Sequence, residues 1–305
     1  MTPDAWRAEY QKNRYLRETH PERLAERLDA LTTNLWSTDA AGDVTPPRHA
    51  AHRANILRLI LHVILEQMER DGTSQIEFNE KALREAAVGA YAPPALKSPF
   101  VGPPSCYAKF GKRHHIQSSF ERGIFRIAPA SSYDDPSLNP AQADKELEHF
   151  TVTPNEQLLF KVYALDPLGG EVETPVKPLE LFRFMQVPDY YVWCCALGYD
   201  ARLFHEFKAD AALVVRDKGV FRKRLEAAVS DIHPNITMLH GSLSYYDPYQ
   251  TARSLLKPIF SKNFKYLYQN EYRFAWRTSL GTDKLEPFNI EIGPMSDIAE
   301  LYETT

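Results

Sequence analysis

The stretch that most constrains the fold lies near the C-terminus, at residues 266–276, and reads Tyr-Leu-Tyr-Gln-Asn-Glu-Tyr-Arg-Phe-Ala-Trp. Aromatic residues alternate with other residues, and alternate side chains of a β-strand point to opposite faces of the sheet. The stretch therefore predicts a strand with an aromatic face, which belongs in the core because each ring removes a large apolar area from water. The opposite face carries Gln269, Glu271 and Arg273. Taken by itself, the strand favours a solvated polar face, while the alternative is that this face lines a cleft.

Length and composition indicate a globular protein. The chain has 305 residues, of which 44% are hydrophobic and 25% charged, so it can form a sizeable core in one large domain or two ordinary ones. Its net charge of -4 argues against nucleic-acid binding over the whole surface, although not against a local basic patch. The N-terminal residues show no signal-peptide pattern, and the longest apolar run, residues 56–65, is too short to cross a bilayer. We therefore expect a cytoplasmic protein with no membrane partner.

The three cysteines, Cys106, Cys194 and Cys195, are an odd number with two of them adjacent. They form neither a disulfide framework nor a zinc-binding spacing. Buried, unreactive thiols are expected, and no metal is predicted.

Residues 1–87 predict a helical N-terminal region. Thr2-Pro3 and Pro21-Glu22 are good helix starts, and the apolar residues that follow Pro21 recur at helical spacing. Residues 48–70 predict the strongest helix and residues 79–87 a short one. Residues 88–104 contain five prolines, which predicts a proline-rich linker.

Residues 105–305 are predicted to form a strand-rich domain without regular βαβ alternation. The predicted fold class is therefore α+β, a helical N-terminal region followed by a mixed, mostly antiparallel β-sheet domain with flanking helices. The predicted strands cover residues 106–110, 123–128, 158–164, 179–186, 190–197, 211–215, 241–246, 266–276 and 288–292, and the predicted helices residues 204–207, 219–229 and 249–260.

Two further stretches carry candidate site residues. Arg126, Tyr133 and Asp135 lie at or just beyond the end of a predicted strand, where binding sites are often built, although Asp134 and Asp135 are equally typical of a simple turn. His205 lies on a short helix that follows the strand at residues 190–197. A lone histidine among aromatic residues is more typical of a hydrogen-bonded core residue than of a catalyst.

Residues 106–295 resemble a bacterial domain family of unknown function whose relatives include abortive-infection proteins. The resemblance rests on four short motifs in order: Cys-Tyr-Ala-Lys-Phe at 106–110, the strand and Tyr-Asp-Asp-Pro turn at 123–136, Trp-Cys-Cys-Ala-Leu at 193–197 with Leu-Phe-His-Glu-Phe at 203–207, and Lys262 with Glu-Tyr-Arg at 271–273. It implies a role in phage defence or in a toxin system.

A second resemblance concerns the reaction, because Gln269-Asn-Glu271 is similar to the Gln-x-Glu or Glu-x-Glu element of ADP-ribosyltransferases. The resemblance implies NAD as a substrate, Glu271 as the carboxylate that stabilises the positively charged ribosyl group, and Gln269 as the residue that orients the acceptor. The substrate contacts that it implies are Lys109 and Arg126 on the phosphates and Tyr133 on a ring, with Asp135, His205 and Arg273 as further candidates.

The sequence departs from that superfamily at the middle strand, which usually supplies Ser or Tyr. Cys194, Cys195 and Ala196 stand there, and the nearest Ser-x-Ser, at residues 242–244, belongs to another strand. Tyr133, Tyr190 and Tyr191 are alternative residues for this role, and the sequence does not choose among them.

Three functional hypotheses follow. The first is an ADP-ribosyltransferase-like effector that consumes NAD and modifies a nucleic acid, a nucleotide or a protein. The second is a metal-dependent nuclease that uses the oxygen and nitrogen ligands of Asp134, Asp135, Glu146 and His149. The third is a non-catalytic binding or immunity module whose N-terminal helices dock a partner protein. A fully solvated Gln269 face would favour the third hypothesis over both enzymes.

Overall fold

The structure is a computed structural model that describes residues 2–39, 43–47, 50–72, 94–153, 162–174, 180–277 and 284–305. These residues form a group of N-terminal helices and a large, mostly antiparallel sheet with helices beside it, so the predicted α+β class is confirmed. The helices are α1 (Pro3–Lys12), α2 (Pro21–Thr33), α3 (Ala50–Asp71), α4 (Arg113–Arg122), α5 (Arg202–Glu206) and α6 (Lys218–Ile232), with 3-10 helices at Ala130–Tyr133, Arg253–Leu255 and Phe264–Gln269.

The strands are β1 (Ser37–Thr38), β2 (Val44–Thr45), β3 (Tyr107–Gly111), β4 (Ile124–Pro129), β5 (Glu148–Thr153), β6 (Val162–Leu165), β7 (Glu171–Thr174), β8 (Leu181–Gln186), β9 (Tyr191–Leu197), β10 (Ala211–Val215), β11 (Thr237–Ser242), β12 (Ser244–Tyr246), β13 (Ser261–Asn263), β14 (Glu271–Arg277), β15 (Phe288–Glu291) and β16 (Ala299–Glu303).

The N-terminal helices begin where their capping residues predict. The Thr2 hydroxyl accepts a hydrogen bond from the backbone N–H of Ala5, and Pro21 is the first residue of α2. The apolar sides of α1, α2 and α3 form their own core, against which Phe264 and Leu267 of the C-terminal part also pack. The predicted helix at residues 79–87 lies outside the described residues.

The main sheet has the strand order β11-β14-β9-β3-β10-β16, in which all neighbours are antiparallel. Strand β9 lies at its centre and has two partners on one edge. Ala196 pairs with Ala108 of β3, whereas Val192, nearer the other end of β9, pairs with Ala128 of β4. Between these two contacts the Lys109 Nζ donates a hydrogen bond of 2.7 Å to the carbonyl oxygen of Cys194. The sheet is therefore split along β9, and a lysine side chain lies in the split.

Strand β14 buries both of its faces. Phe274 and Trp276 pack with Trp193 of β9 and with Phe221 of α6 in the largest core, which confirms the aromatic core face. The opposite face is buried as well, since Glu271 is 6% exposed and Arg273 has no exposed surface. The solvated face that the strand favours when taken by itself is therefore wrong. The face lies against other parts of the chain, and Glu271 lines a cavity there, as the alternative of a cleft wall expects.

The first half of the predicted strand at residues 266–276 forms a 3-10 helix. Asn263 caps this helix by accepting a hydrogen bond from the Lys265 N–H, and Asn270 then adopts a left-handed φ of 42°. Asparagine tolerates that conformation better than most residues. The aromatic alternation holds only from Glu271 onward, and Gln269 precedes β14 instead of lying on it.

Other differences arise where a local pattern had no tertiary information. Of the helix predicted at residues 249–260, only Arg253–Leu255 is helical, because the Asp247 side chain holds the Tyr249 N–H in a turn and Pro258 prevents continuation. Helix α4 and strand β16 were not predicted.

Candidate functional site

Five ionisable side chains meet on the covered face of β14, and we name them the charge cluster: Asp144, Glu146, Lys262, Glu271 and Arg273. Arg273 Nη2 lies 2.6 Å from Glu146 Oε2 and 2.8 Å from Glu271 Oε1. Lys262 Nζ lies 2.9 Å from Glu271 Oε2, 3.3 Å from Glu146 Oε1 and 3.5 Å from Asp144 Oδ2. Each cation therefore bridges both glutamates, and the four groups form a closed ring of charges.

The backbone of three separate segments positions these groups. Glu271 and Arg273 are two residues apart on β14 and so project from the same face. Lys262 is the middle residue of β13, and Glu146 lies just before β5. The Glu271 backbone N–H donates a 2.7 Å hydrogen bond to the hydroxyl of Tyr245, the middle residue of β12, which fixes the start of β14.

The Arg273 guanidinium is fully hydrogen-bonded. Its Nη1 donates to the Tyr190 hydroxyl at 2.9 Å and to the Ile259 carbonyl at 2.7 Å, and its remaining N–H groups donate to Glu146 and Glu271. A buried guanidinium is stable only when its donors are paired in this way. Arg273 is therefore held rigidly, and it in turn fixes both glutamates.

The environment separates the acidities of the carboxyl groups. Burial alone would raise the pKa of Glu271, but the charges of Lys262 and Arg273 outweigh burial and hold that pKa well below its usual range. For Asp144, burial and the charge of Glu146 prevail over Lys262, and they raise its pKa to about 6. The cluster thus contains a carboxylate that stays ionised and a second carboxyl that titrates near neutral pH, a division typical of acid–base sites.

Two cavities adjoin the charge cluster. The larger, of about 460 Å³, is lined by Asp144, Tyr266 and other residues. The smaller, of about 150 Å³, is lined by Glu271 and Cys194 among others. Tyr133, Glu146 and Lys262 line both cavities. The charge cluster therefore forms part of the wall between the two cavities.

Four of the predicted site residues line the smaller cavity: Lys109, Tyr133, Gln269 and Glu271. Gln269 is buried, and its side-chain amide donates to the Ala141 carbonyl at 2.8 Å and to the Tyr268 hydroxyl. The Lys109 ammonium is engaged with the Cys194 carbonyl, so it would have to leave that contact to bind phosphate.

Three predicted residues occupy other positions. Arg126 is exposed on β4 and His205 is exposed on α5, and neither lines either cavity. Arg126 lies within β4, and His205 follows β9, which contributes Cys194 to the smaller cavity, but neither side chain is part of the site. Asp135 borders the larger cavity, where its side chain accepts a hydrogen bond from the Ser137 N–H, as expected of a turn residue.

The sequence does not indicate Asp144 as a site residue, and it indicates Lys262 only as part of a motif. No local signal distinguishes either residue, because each acquires its environment from distant segments. Tyr190, one of the alternatives for the middle-strand position, contacts the cluster through Arg273, whereas Tyr191 packs in the core on the other face of β9.

The residues of the nuclease hypothesis share one cavity without forming a ligand set. Asp134, Asp135, Glu146 and His149 all line the larger cavity. Glu146 is held by Arg273 and Lys262, and His149 Nε2 lies 2.7 Å from the Pro258 carbonyl, which it contacts as a donor. In the part of the chain that the structure describes, no three His, Cys, Asp or Glu side chains converge as metal ligands.

The two adjacent cysteines lie beside the site. Burial raises the pKa of both Cys194 and Cys195 above the ordinary thiol range, with smaller contributions from their neighbours. Their thiols therefore stay protonated at neutral pH, which is the state expected of unreactive cysteines.

Comparison of the chain with protein-family models, with curated proteins and with solved structures finds no match. Both family resemblances of the sequence therefore stay predictions. None of the helices within the described ranges is long and apolar enough to cross a membrane.

Proposed function

We propose that this chain is a cytoplasmic ADP-ribosyltransferase-like enzyme that cleaves the N-glycosidic bond of NAD, with Glu271 stabilising the ribosyl group as its positive charge develops. One observation carries the proposal: an ionised, buried carboxylate, held by two fixed cations, lines a cavity at the end of a strand. A preorganised charge in a water-poor site contributes strongly to transition-state stabilisation, because it needs no reorganisation during the reaction.

The net charge of the cluster favours a cationic transition state. With Asp144 ionised, three carboxylates face two cations, so the ring and its neighbour carry an excess negative charge. Lys262 and Arg273 neutralise much of the field of Glu271 in the resting site, yet they also prevent its protonation. Glu271 itself stays ionised in the physiological pH range, whereas the excess negative charge of the cluster is lost once Asp144 takes up a proton, at a pH of about 6.

Asp144 is the group best suited to activate the acceptor. As nicotinamide leaves with the electron pair of the C–N bond, the hydroxyl oxygen of water or of another acceptor forms the new bond to the ribose carbon. Its proton then passes to the Asp144 carboxylate. A base with a pKa of about 6 is ionised at neutral pH and still has useful basicity. The side chain is partly exposed and lines the larger cavity, through which an acceptor can approach.

The experiment is a nicotinamide-release assay on the full chain with NAD, for the wild type, Glu271→Gln and the matched control Glu291→Gln. Glu291 is an exposed residue of β15 that does not line either cavity. We expect Glu271→Gln to lose roughly 100- to 1,000-fold in turnover, the size of effect seen when one preorganised electrostatic group is removed, and Glu291→Gln to match the wild type.

Thermal unfolding of both variants shows whether the loss is chemical. Turnover by Glu271→Gln at the wild-type rate would exclude this role for Glu271, and a folded wild type that releases no nicotinamide would favour the non-catalytic module. If the chain has an enzymatic activity that is lost in EDTA, the nuclease hypothesis is favoured instead, because glycosidic cleavage of NAD needs no metal. The acceptor class and a role in phage defence or a toxin system remain part of this proposal, as the resemblances imply.

A further inference from the structure

Most of the tyrosine hydroxyls near the charge cluster are hydrogen-bonded within the protein. The pairs are Tyr190 with the Arg273 guanidinium, Tyr245 with the Glu271 N–H, Tyr246 with the Phe150 N–H and Tyr266 with the Ala143 carbonyl, at 2.7–3.3 Å. Tyr133 differs, because its hydroxyl forms no hydrogen bond with any residue that the structure describes. The Tyr133 hydroxyl therefore still has a donor and an acceptor to offer a bound molecule.

The Tyr133 hydroxyl is also accessible. Tyr133 is half-buried, and its oxygen is not one of the fully enclosed polar atoms that lack a partner, so part of its surface is open. The residue lines both the larger and the smaller cavity. Burial raises the pKa of its phenol above the usual range, and the groups that raise it further are Cys194, Glu146 and Glu271, which all line the smaller cavity. The hydroxyl therefore lies close to the polar groups of the smaller cavity and stays protonated at neutral pH.

The carboxylates beside Tyr133 are committed to other donors. Glu146 and Glu271 are both bound by Lys262 and by Arg273. A phenol near such carboxylates would otherwise donate to one of them, because charge-assisted hydrogen bonds are stronger than neutral ones. Since neither carboxylate accepts from Tyr133, its O–H is available to an acceptor oxygen of a ligand.

The smaller cavity has the size of one ring and a lining that suits hydroxyl groups. Its volume is about 150 Å³, and a protein cavity of roughly this volume holds a single benzene molecule. Glu271, whose carboxylate accepts hydrogen bonds, lines it together with Lys109 and Tyr133, which can donate them. A sugar hydroxyl both donates and accepts, so a single sugar ring matches both kinds of group.

We infer that the Tyr133 hydroxyl donates a hydrogen bond to a hydroxyl oxygen of a ribose ring that occupies the smaller cavity next to Glu271. The ligand class is a ribose-containing nucleotide, and Tyr133 is a substrate-binding residue. That the sugar is the ribose of NAD rests on the proposed function, which places the ribosyl group beside Glu271. The contact itself rests on the free hydroxyl and on the cavity that it borders. It differs from the ring contact that the ADP-ribosyltransferase resemblance implies for Tyr133, because the hydroxyl group binds.

The test uses the full chain labelled with ¹³C at the phenol carbon of its 16 tyrosines, with Tyr133→Phe to assign the Tyr133 signal. ADP-ribose, which contains ribose but no nicotinamide, and nicotinamide alone are titrated separately. We expect ADP-ribose to shift the Tyr133 signal in a saturable manner and nicotinamide to leave it unchanged. In calorimetry, Tyr133→Phe should bind ADP-ribose about three- to tenfold more weakly than the wild type, the effect of one neutral hydrogen bond.

Urea unfolding distinguishes a ligand contact from a structural role. Tyr133→Phe keeps the ring and removes no hydrogen bond within the described ranges, so its free energy of unfolding should match the wild type. Tyr190→Phe removes the bond to Arg273 and should lower the free energy of unfolding. Tyr163→Phe is the matched control, because Tyr163 is 51% exposed on β6 and lines neither cavity. It should match the wild type in both ADP-ribose binding and unfolding.

Four results would overturn the Tyr133 contact. They are a wild type that does not bind ADP-ribose, binding without a shift of the Tyr133 signal, a shift caused by nicotinamide instead, and wild-type affinity in Tyr133→Phe. A Tyr133→Phe chain that does not fold would also overturn it, since the hydroxyl would then have a structural role.

The same experiment separates this inference from the proposed function. A wild type that binds ADP-ribose through Tyr133 but releases no nicotinamide from NAD would refute the proposed function alone. Release of nicotinamide that depends on Glu271, together with wild-type turnover and ADP-ribose affinity in Tyr133→Phe, would refute the Tyr133 contact alone.

Discussion

Replacing Arg273 with methionine should destabilise the fold severely, because two buried carboxylates lose their shared partner. Arg273 has no exposed surface and contacts both Glu146 and Glu271. The variant leaves these carboxylates with Lys262 as their only cation in the cluster. Removing one partner from a buried ion pair costs about 3–5 kcal/mol, because the remaining charge stays desolvated without compensation. We expect a loss in that range, and at its upper end because two carboxylates are affected.

A double-mutant cycle isolates the electrostatic part of this loss. Glu146→Gln in the Arg273→Met background removes one of the two carboxylates that have lost their guanidinium partner. The decrease in the free energy of unfolding of the double variant should therefore be smaller than the sum of the decreases of the two single variants. Groups in direct contact within one network typically couple by ~0.5–3 kcal/mol. Urea unfolding, followed by circular dichroism and by tryptophan fluorescence, measures the free energy of unfolding and shows whether the two probes report one transition.

The matched control is Arg216→Met, which removes a guanidinium from a partly exposed pair. Arg216 lies 3.3 Å from Glu300, and the two side chains are 43% and 32% exposed. Such pairs contribute about 0–1 kcal/mol, so this variant should unfold close to the wild type. If Arg273→Met lowers the free energy of unfolding no more than Arg216→Met does, the charge cluster is not desolvated. The electrostatic reasoning about Glu271 then fails as well.

Two further predictions concern pH and backbone geometry. The rate of NAD cleavage should fall as the pH drops through about 6, because Asp144 takes up a proton there and can no longer accept one. A pH–rate profile of the wild type beside Asp144→Asn checks the assignment. The variant should be slower at neutral pH and should not show the fall in rate near pH 6. Gly123→Ala should cost about 2 kcal/mol or more in urea unfolding, because residue 123 has φ 69° and an added Cβ would lie 2.0 Å from the Gly293 carbonyl oxygen. Residue 169 has φ 83° and no neighbour within 4 Å of an added Cβ, so Gly169→Ala should cost only the free energy of holding a non-glycine residue at positive φ. Equal decreases in the free energy of unfolding for Gly123→Ala and Gly169→Ala would show that the close approach to Gly293 is not important.

The sequence predicts the elements whose signals are local. Thr2 and Pro21 mark helix starts because capping and the fixed φ of proline act within one turn. Phe274 and Trp276 mark a core strand because alternation is a property of the strand itself. The α+β class follows from counting such elements. These features need no knowledge of which segments meet.

The candidate site depends on contacts that no local pattern encodes. The guanidinium of Arg273 binds Glu146, 127 positions earlier in the chain, and Lys262 binds the same glutamate across 116 positions. The polar face of β14 could be identified from the sequence, but its partners could not. Gln269 shows the same limit on a smaller scale, because the left-handed turn at Asn270 ends the alternation that would have placed it beside Glu271.

The cost of the charge cluster is itself an argument for function. Replacing a buried ion network with apolar side chains of similar volume is often neutral or stabilising, so stability alone gives little reason to bury four fully charged groups on the face of a central strand. Function gives a reason when the network borders a cavity, because a carboxylate whose ionisation is fixed by two cations can act on a bound molecule. Glu271 meets that condition, since it is buried, ionised and part of a cavity wall. Arg126 and His205, which are exposed and carry no such cost, do not.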